Sequence, residues 1–115
     1  MTEERRHPTD SEREAGARPT LGVLIAALET HDGDGLAGLL RDDAAWLSGD
    51  GRAAGPAARE RARAFSVEHV GRRWSDPQQH GAYAVLRWGA IDGGAMGALV
   101  VEVRGGQVVL VCEVP

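Results

Sequence analysis

The spacing of hydrophobic residues changes along the chain, from a helical period in the first half to strict alternation near the end. From Thr20, a suitable N-cap, apolar residues recur at positions i, i+3, i+4 and i+7. These residues are Leu21, Leu24, Ile25 and Leu28. Gly33 ends this predicted helix, and Asp34 can cap a shorter second helix with Leu36, Leu39 and Leu40 turned inward. The pattern therefore predicts a helical hairpin.

A strand and a third helix are predicted next. Residues 44–48, which contain Trp46, read as a strand, and Gly51 opens a loop over residues 52–55. Pro56 suits the first position of a helix, where its missing N–H costs nothing. One face of that helix carries Ala58, Ala62, Phe65 and His69. This thin apolar stripe predicts close packing against a sheet.

Three antiparallel strands are predicted in the last third of the chain, because two Gly-Gly turns set their register. A turn at Gly105-Gly106 places three alternating pairs on an apolar face, and a turn at Gly93-Gly94 extends that face. The pairs are Val103 with Val108, Val101 with Leu110 and Leu99 with Cys112, and the extension is Ala84, Leu86 and Trp88. Glu102 and Glu113 then fall on the opposite, mixed face. Residues 69–74 can add a further strand.

The order of elements predicts an α+β domain with helices laid on one face of a curved antiparallel sheet. Residues 1–18 are charged and contain no large aliphatic side chain after Met1. Such a segment buries too little apolar surface to offset its ordering entropy. We therefore expect a disordered tail over residues 1–18 and a single domain over residues 19–115.

Charge and composition exclude several functions. The chain contains 13 Arg and no Lys, and its 17 acidic residues outnumber them. The resulting net charge of -4 argues against nucleic-acid binding. No apolar run approaches a membrane span and no signal peptide opens the chain, which predicts a cytoplasmic protein. The single Cys112 excludes an internal disulfide and a Cys-rich zinc site.

One local charge imbalance runs against this acidic background. The segment from Arg52 to Arg73 contains six Arg but only two acidic residues, Glu60 and Glu68. The excess could steer an anionic ligand or an acidic partner to this part of the chain, although a solvated helix face is the commoner cause of such a run.

Three stretches of the chain resemble a known family: LLRDDAAWLSGDG, GPAARERARAF and AVLRWGAIDGGAMGALVVEVRGGQVVLVCEVP. Together they are similar to the SnoaL-like branch of the nuclear transport factor 2-like superfamily, including domains appended to some extracytoplasmic-function sigma factors. The resemblance covers roughly residues 19–115 and rests on element order and hydrophobicity. It implies a cone, formed by a bent sheet wrapped by three helices around a pocket. Members include isomerases, epoxide hydrolases, polyketide cyclases, dehydratases and non-catalytic binding modules, so the fold alone does not choose a function.

Four side chains are the candidates for ligand binding in such a pocket: Trp46, Phe65, His69 and Trp88. If the aromatic rings converge, they form a flat-walled apolar pocket for a hydrophobic small molecule. The alternative is that they fill the cone and leave no cavity. No residue pattern has metal-ligand spacing or a phosphate-binding glycine motif, so we expect no metal and no cofactor.

The predicted register leaves the pocket without a carboxylate, so we assign no catalytic residue and favour a binding or association module. We expect a homodimer that associates through the outer sheet face, at Val85, Val100, Val109 and Val111. The alternative is a small isomerase, cyclase or hydrolase acting on a polyketide-, steroid- or terpene-like substrate. In it His69 is the general base and Asp42 or Asp43 orients it.

Overall fold

A seven-stranded sheet and three helices make up the computed structural model, which describes residues 9–115. The helices are α1 (Asp10–Glu29), α2 (Gly33–Gly38) and α3 (Pro56–Glu68). The strands are β1 (Leu40–Ser48), β2 (Gly51–Ala54), β3 (Arg72–Trp74), β4 (Gln78–His80), β5 (Tyr83–Ala90), β6 (Met96–Arg104) and β7 (Gln107–Val114). Among the described residues no helix is long and apolar enough to cross a membrane.

The sheet is mixed, which corrects the expectation of a wholly antiparallel one. Its order is β2-β1-β7-β6-β5-β3, with β4 paired to β5. β1 runs parallel to β7, and every other pairing is antiparallel. The hairpin of β1 and β2 is thus joined to the C-terminal meander through strands that are far apart in sequence.

The hydrophobic core lies between one face of this sheet, here called the inner face, and the helices. Its largest fully buried side chains are Trp46, Phe65, Leu21, Leu24, Leu36, Leu40, Leu86, Leu99, Val101, Val108 and Val111. Ala58 and Ala62 on α3 are also fully buried. A methyl group is the smallest side chain that still packs, so these two positions let α3 approach β1 closely. The α+β architecture predicted from the spacing is confirmed.

Helix α1 begins well before the predicted start of the domain. It starts at Asp10, and Thr9 caps it because its hydroxyl oxygen accepts from the Glu12 N–H at 3.1 Å. Ala17 is buried, and the Gln79 amide donates to the Glu14 carbonyl at 2.7 Å. Residues 10–18 are therefore helical, and the boundary expected at residue 19 is wrong for them. Residues 1–8 of the predicted tail lie outside the described residues.

Two smaller differences arise from local hydrogen bonding. The cap of α2 is Asp32, whose carboxylate accepts from the Gly35 N–H at 2.9 Å, whereas Asp34 had been expected. Of residues 52–55, expected to be a loop, residues 52–54 belong to β2, because their backbone pairs with β1 from Ala45 to Leu47. The further strand expected within residues 69–74 is present as β3.

A β-bulge in the last hairpin changes which side chains face inward. The pairs next to the Gly105-Gly106 turn are as predicted, but beyond Val103 the register shifts and Glu102 pairs with Leu110 instead of Val109. One extra residue in a strand turns every later side chain to the opposite face. The expected positions of Leu110, Val111, Cys112 and Glu113 are therefore wrong.

The hairpin of β5 and β6 keeps its faces despite a different register. Leu86 pairs with Leu99 instead of Val101, and Trp88 pairs with Gly97 instead of Leu99. The shift is even, so it leaves each side chain on the predicted face. Its cause is a wider turn than the two glycines alone, closed by the Ala90 N–H donating to the Ala95 carbonyl at 2.7 Å.

Candidate functional site

The four predicted ligand-binding side chains come together at one end of the core. The His69 ring stacks on Phe65 with centroids 3.7 Å apart, and it meets Trp88 edge-on at 5.0 Å. Trp46 also contacts Phe65, with ring centroids 5.4 Å apart. Offset and edge-to-face contacts of this kind are the favoured geometries of aromatic pairs. The rings therefore form one continuous cluster that connects α3 with β1 and β5.

A cavity of about 210 Å³, here called the cone pocket, opens beside this cluster. It is lined by Phe65, His69, Trp88 and Glu113, together with Gly49, Ala98, Val114 and Pro115. Trp46 and Phe65 are 0% and 1% exposed and belong to the core, and of the four predicted residues Trp46 alone does not line the pocket. The pocket's volume is below the roughly 300 Å³ at which pockets for drug-sized ligands begin, and it suits a smaller molecule.

Glu113 lines the cone pocket, although strand alternation predicts it on the opposite, outer face. Its carboxylate accepts from the Trp46 indole N–H at 2.5 Å and from two Arg61 nitrogens at 2.9 Å each. The bulge described above turns it inward. Residues 108–111 are all apolar, which breaks the apolar–polar alternation expected of a strand with one buried and one exposed face. This break is the feature of the sequence that indicates a bulge.

Arg61 holds two carboxylates at once. Besides Glu113 it binds both oxygens of Glu68, at 2.9 and 3.0 Å. These hydrogen bonds, first that of Glu68 and then that of Glu113, raise the pKa of Arg61 against the opposing effect of its partial burial. The arginine thus stays charged and fixes the end of β7 against α3. Glu113 is fully engaged by these donors and by Trp46, so it is poorly placed to move protons.

His69, the residue that follows α3, is the remaining polar group in the pocket. Its Nδ1 lies 3.0 Å from the Phe65 carbonyl oxygen. A carbonyl can only accept, so Nδ1 carries the proton and the neutral ring keeps its lone pair on Nε2. Partial burial lowers the pKa of His69, and the nearby charge of Arg72 lowers it further. The Phe65 hydrogen bond and the charges of Glu113 and Glu68 oppose the shift.

We expect this lowered pKa to make the protein less stable in mild acid. The unfolded imidazole titrates near 6.5 and the folded one below it, so the unfolded chain binds more protons between the two values. Stability should therefore decrease as the pH falls from about 6.5 through the lower folded-state pKa. NMR titration of the His69 ring gives the pKa, and His69→Gln should flatten this part of the stability profile. A midpoint above 6.5 would contradict the prediction.

The two acids expected to orient His69 do not reach it. Asp42 pairs with Arg59 at 2.7 Å and Asp43 with Arg41 at 2.5 Å, and both carboxylates are exposed. The His69 ring is oriented instead by the backbone carbonyl of Phe65. That part of the enzyme hypothesis is corrected. Within residues 9–115, no group of three or more His, Cys, Asp or Glu is arranged to hold a metal ion.

Trp88 depends on a glycine across the sheet. A Cβ added at Gly97 would lie 2.7 to 2.9 Å from three atoms of the Trp88 indole, closer than any normal contact. The ring therefore lies flat over β6 only because position 97 has no side chain. The position of the Trp88 ring, which forms one wall of the cone pocket, therefore depends on this contact.

We expect Gly97→Ala to displace the Trp88 ring and to cost about 1–3 kcal/mol of stability, the usual range for overpacking a core. Tryptophan fluorescence and urea unfolding would measure both effects. Gly89→Ala is the matched control, because a Cβ there has no neighbour within 4 Å and the residue lies in the adjacent strand. Equal behaviour of the two variants would show that the contact does not fix Trp88.

Solved structures with the same arrangement of helices and sheet identify the fold. A nuclear transport factor 2-like protein of unknown function from Mesorhizobium loti is 20% identical, with 94% of this chain and 95% of that chain covered at a TM-score of 0.72. A similar protein of unknown function from Burkholderia xenovorans LB400 is 22% identical, with coverages of 88% and 83% and a TM-score of 0.67. A candidate polyketide cyclase from Sinorhizobium meliloti is 15% identical, with coverages of 83% and 93% and a TM-score of 0.65.

No protein-family model and no curated protein matches the chain in sequence. At the identities of the solved structures the likeness establishes the architecture and leaves the chemistry open. The predicted cone of a bent sheet wrapped by three helices is confirmed. The chain has the nuclear transport factor 2-like fold.

Proposed function

We propose that the protein is a non-catalytic binding module that holds a small, flat, mainly apolar molecule in the cone pocket. The observation that carries the proposal is the pocket's lining, in which aromatic rings surround a single uncommitted polar group. The carboxylate of Glu113 is engaged by Arg61 and Trp46. The Nε2 lone pair of His69 is left to accept a hydrogen bond from a ligand hydroxyl or N–H.

Phenol and indole are suitable probes, since both are small and flat and carry one hydrogen-bond donor. We expect both to shift the NMR signals of His69 and Trp88, and expect toluene, which has no donor, to bind more weakly. Trp88→Ala and His69→Ala should weaken binding, whereas His80→Ala, an exposed histidine on β4, should not. Equal binding to the wild type and to both pocket variants would refute the proposal.

The same histidine favours a second candidate function, a small enzyme that moves a proton on a carbonyl compound. A neutral imidazole with its lone pair beside an apolar cavity is the form that a general base requires. One structural neighbour is itself a candidate polyketide cyclase. Deuterium exchange next to the carbonyl of cyclohexanone tests this function directly. Exchange that exceeds buffer and is lost in His69→Ala would establish the enzyme, and no excess exchange would exclude it for this class of ketone.

We also propose that the protein forms a homodimer through the sheet face turned away from the helices, here called the outer face. Val85, Val100 and Cys112 are half-buried there, and a groove of about 360 Å³ crosses it beside Met96. Val111 is excluded from this surface, since it is 1% exposed in the core. Arg41, Asp43, Glu102 and Arg104 pair at its border. Charges of both signs beside an apolar patch suit a two-fold contact with a second copy.

Sedimentation at micromolar concentration tests the dimer. We expect wild type and Val67→Asp, changed on the exposed side of α3, to sediment as dimers. Val100→Asp should sediment as a folded monomer, because it places an unpaired charge in the centre of the contact. A monomeric wild type would overturn this part of the proposal.

A further inference from the structure

The cone pocket and the groove on the outer face lie on opposite sides of the sheet and share part of their lining. The groove, here called the outer groove, is lined by side chains that strand alternation places on the outer face, with Val85 and Val100 at its centre. Phe65 and His69 line the cone pocket. Both cavities are lined by four residues, here called the common wall: Trp88, Ala98, Val114 and Pro115. The two cavities therefore adjoin across the common wall.

The common wall lies at the end of β7. The pairing of β6 with β7 ends at Ala98 with Val114, whereas the pairing of β6 with β5 continues through Gly97 to Met96. Paired strands keep the two faces of a sheet apart, so the faces meet where a strand ends. A cavity on the inner face can therefore share its wall with a cavity on the outer face at this place.

The common wall is partly exposed in the single chain. Val114 is 40% exposed and Pro115 is also exposed, although both residues line the cone pocket. Side chains that form a binding site must be ordered when the ligand binds, and the lost freedom opposes binding. This cost is largest for residues that little else holds in place. The cone pocket is thus least constrained on the side that faces the outer groove.

We propose that a second copy on the outer face completes the cone pocket, so that dimer formation and ligand binding strengthen each other. The inference rests on the ligand site and the dimer contact proposed above. A partner that fills the outer groove packs against Val114 and Pro115 from the side away from the ligand. The common wall is then held between partner and ligand. Each of the two lowers the cost of ordering this wall for the other.

The outer face suits a second copy because it can complement itself. The apolar centre at Val85 and Val100 is bordered by two ion pairs, Arg41 with Asp43 and Arg104 with Glu102. A two-fold axis sets a surface against an identical surface, so each contact must be compatible with its own equivalent. Apolar side chains meet this condition by packing on one another, and borders that carry both signs of charge meet it electrostatically.

Phenol is the probe, and Val100→Asp is the decisive variant, because Val100 lines the outer groove and not the cone pocket. The variant should be monomeric by sedimentation and folded by NMR. We expect it to bind phenol about tenfold more weakly than the wild-type dimer, within the usual range for coupled sites. Val85→Asp provides a second monomer, changed elsewhere on the same face. Val67→Asp, on the exposed side of α3, should remain a dimer and bind phenol as the wild type does.

The converse effect follows from linkage, since a ligand that prefers the dimer must also strengthen it. A dimer has two cone pockets, so a tenfold preference at each should lower the dimer dissociation constant about a hundredfold at saturating phenol. Sedimentation followed by refractive index measures this constant without interference from the absorbance of phenol. His69→Ala lacks a side chain that lines only the cone pocket, so its dimerisation should respond less to the same phenol concentration.

The possible results separate the coupling from the function on which it rests. Equal phenol affinity in the wild-type dimer and in both monomeric variants, with no effect of phenol on dimerisation, would overturn the coupling and leave the ligand site intact. A wild-type dimer that does not bind phenol would instead contradict the proposed ligand site. A wild type that stays monomeric at saturating phenol would overturn the dimer and the coupling together.

Discussion

Replacing Glu113 by Ala is expected to lower the free energy of unfolding by about 2–4 kcal/mol, because it leaves donors without an acceptor in a half-buried site. The Trp46 indole N–H lies in the core and has Glu113 as its hydrogen-bond partner. Arg61 would keep Glu68 but lose the second of its two carboxylates. The expected loss is therefore larger than for an ordinary surface ion pair.

Urea unfolding of Glu113→Ala and Asp43→Ala tests this expectation. The Asp43 variant removes a pair with Arg41 that is exposed to solvent, and such pairs contribute little to stability. Glu113→Gln adds a finer comparison, since its amide oxygen can still accept from Trp46 while the charge is lost. If Glu113→Ala is no less stable than the Asp43 variant, the inward position of the Glu113 carboxylate is wrong.

Phe65→Ala is expected to lower the free energy of unfolding by about 3–5 kcal/mol. The ring is 1% exposed and contacts His69, Trp46 and Trp74, so its removal leaves a void that these neighbours cannot close. The void lies next to the cone pocket. The variant should therefore bind larger aromatic molecules than the wild type does.

Val67→Ala is the control on the same helix, because Val67 is 73% exposed and its truncation should change little. Phe65→Leu keeps most of the apolar volume and should lose less stability, which provides a folded variant if the alanine form does not fold. A Phe65→Ala protein as stable as Val67→Ala would mean that Phe65 does not occupy the core.

Two features that depend on short stretches of sequence were predicted correctly. The apolar stripe of α1, with Leu21, Leu24 and Leu28, is buried as its spacing indicated, and Pro56 opens α3. Helical periodicity and a proline at the first helical position predict a helix from neighbouring residues alone, without information from the rest of the chain. The start of α1 was missed because residues 10–18 are polar and gain their helical structure partly from a contact between Gln79 and Glu14.

The register of the sheet could be predicted only as far as the turns determine it. Next to the Gly105-Gly106 turn the pairing of Val103 with Val108 was correct. The bulge beyond it is favoured by burial of Val111 against the helices, a property of the assembled core that alternation within one strand does not reveal. The parallel pairing of β1 with β7 was missed for the same reason, since no turn connects those strands.

The aromatic residues and His69 of the candidate site were therefore predicted, whereas the ion pair of Arg61 and Glu113 was missed. Phe65, His69 and Trp88 could be found because helical spacing and strand alternation turn them all inward. Glu113 and Arg61 meet only through the bulge, and their pairing spans 52 residues of sequence. The expected partners of His69, Asp42 and Asp43, are instead held by arginines on the surface.

The parallel contact between β1 and β7 has a consequence for how the chain folds. Trp46 on β1 is bonded to Glu113 on β7, 67 residues further along. Contacts of such long range must be closed against a large loss of chain entropy, and they slow folding. The first hairpin therefore has no sheet to join until the end of the domain has left the ribosome. We expect the core to form only after synthesis of β7, and earlier nascent chains to be sensitive to proteases throughout β1 and α3.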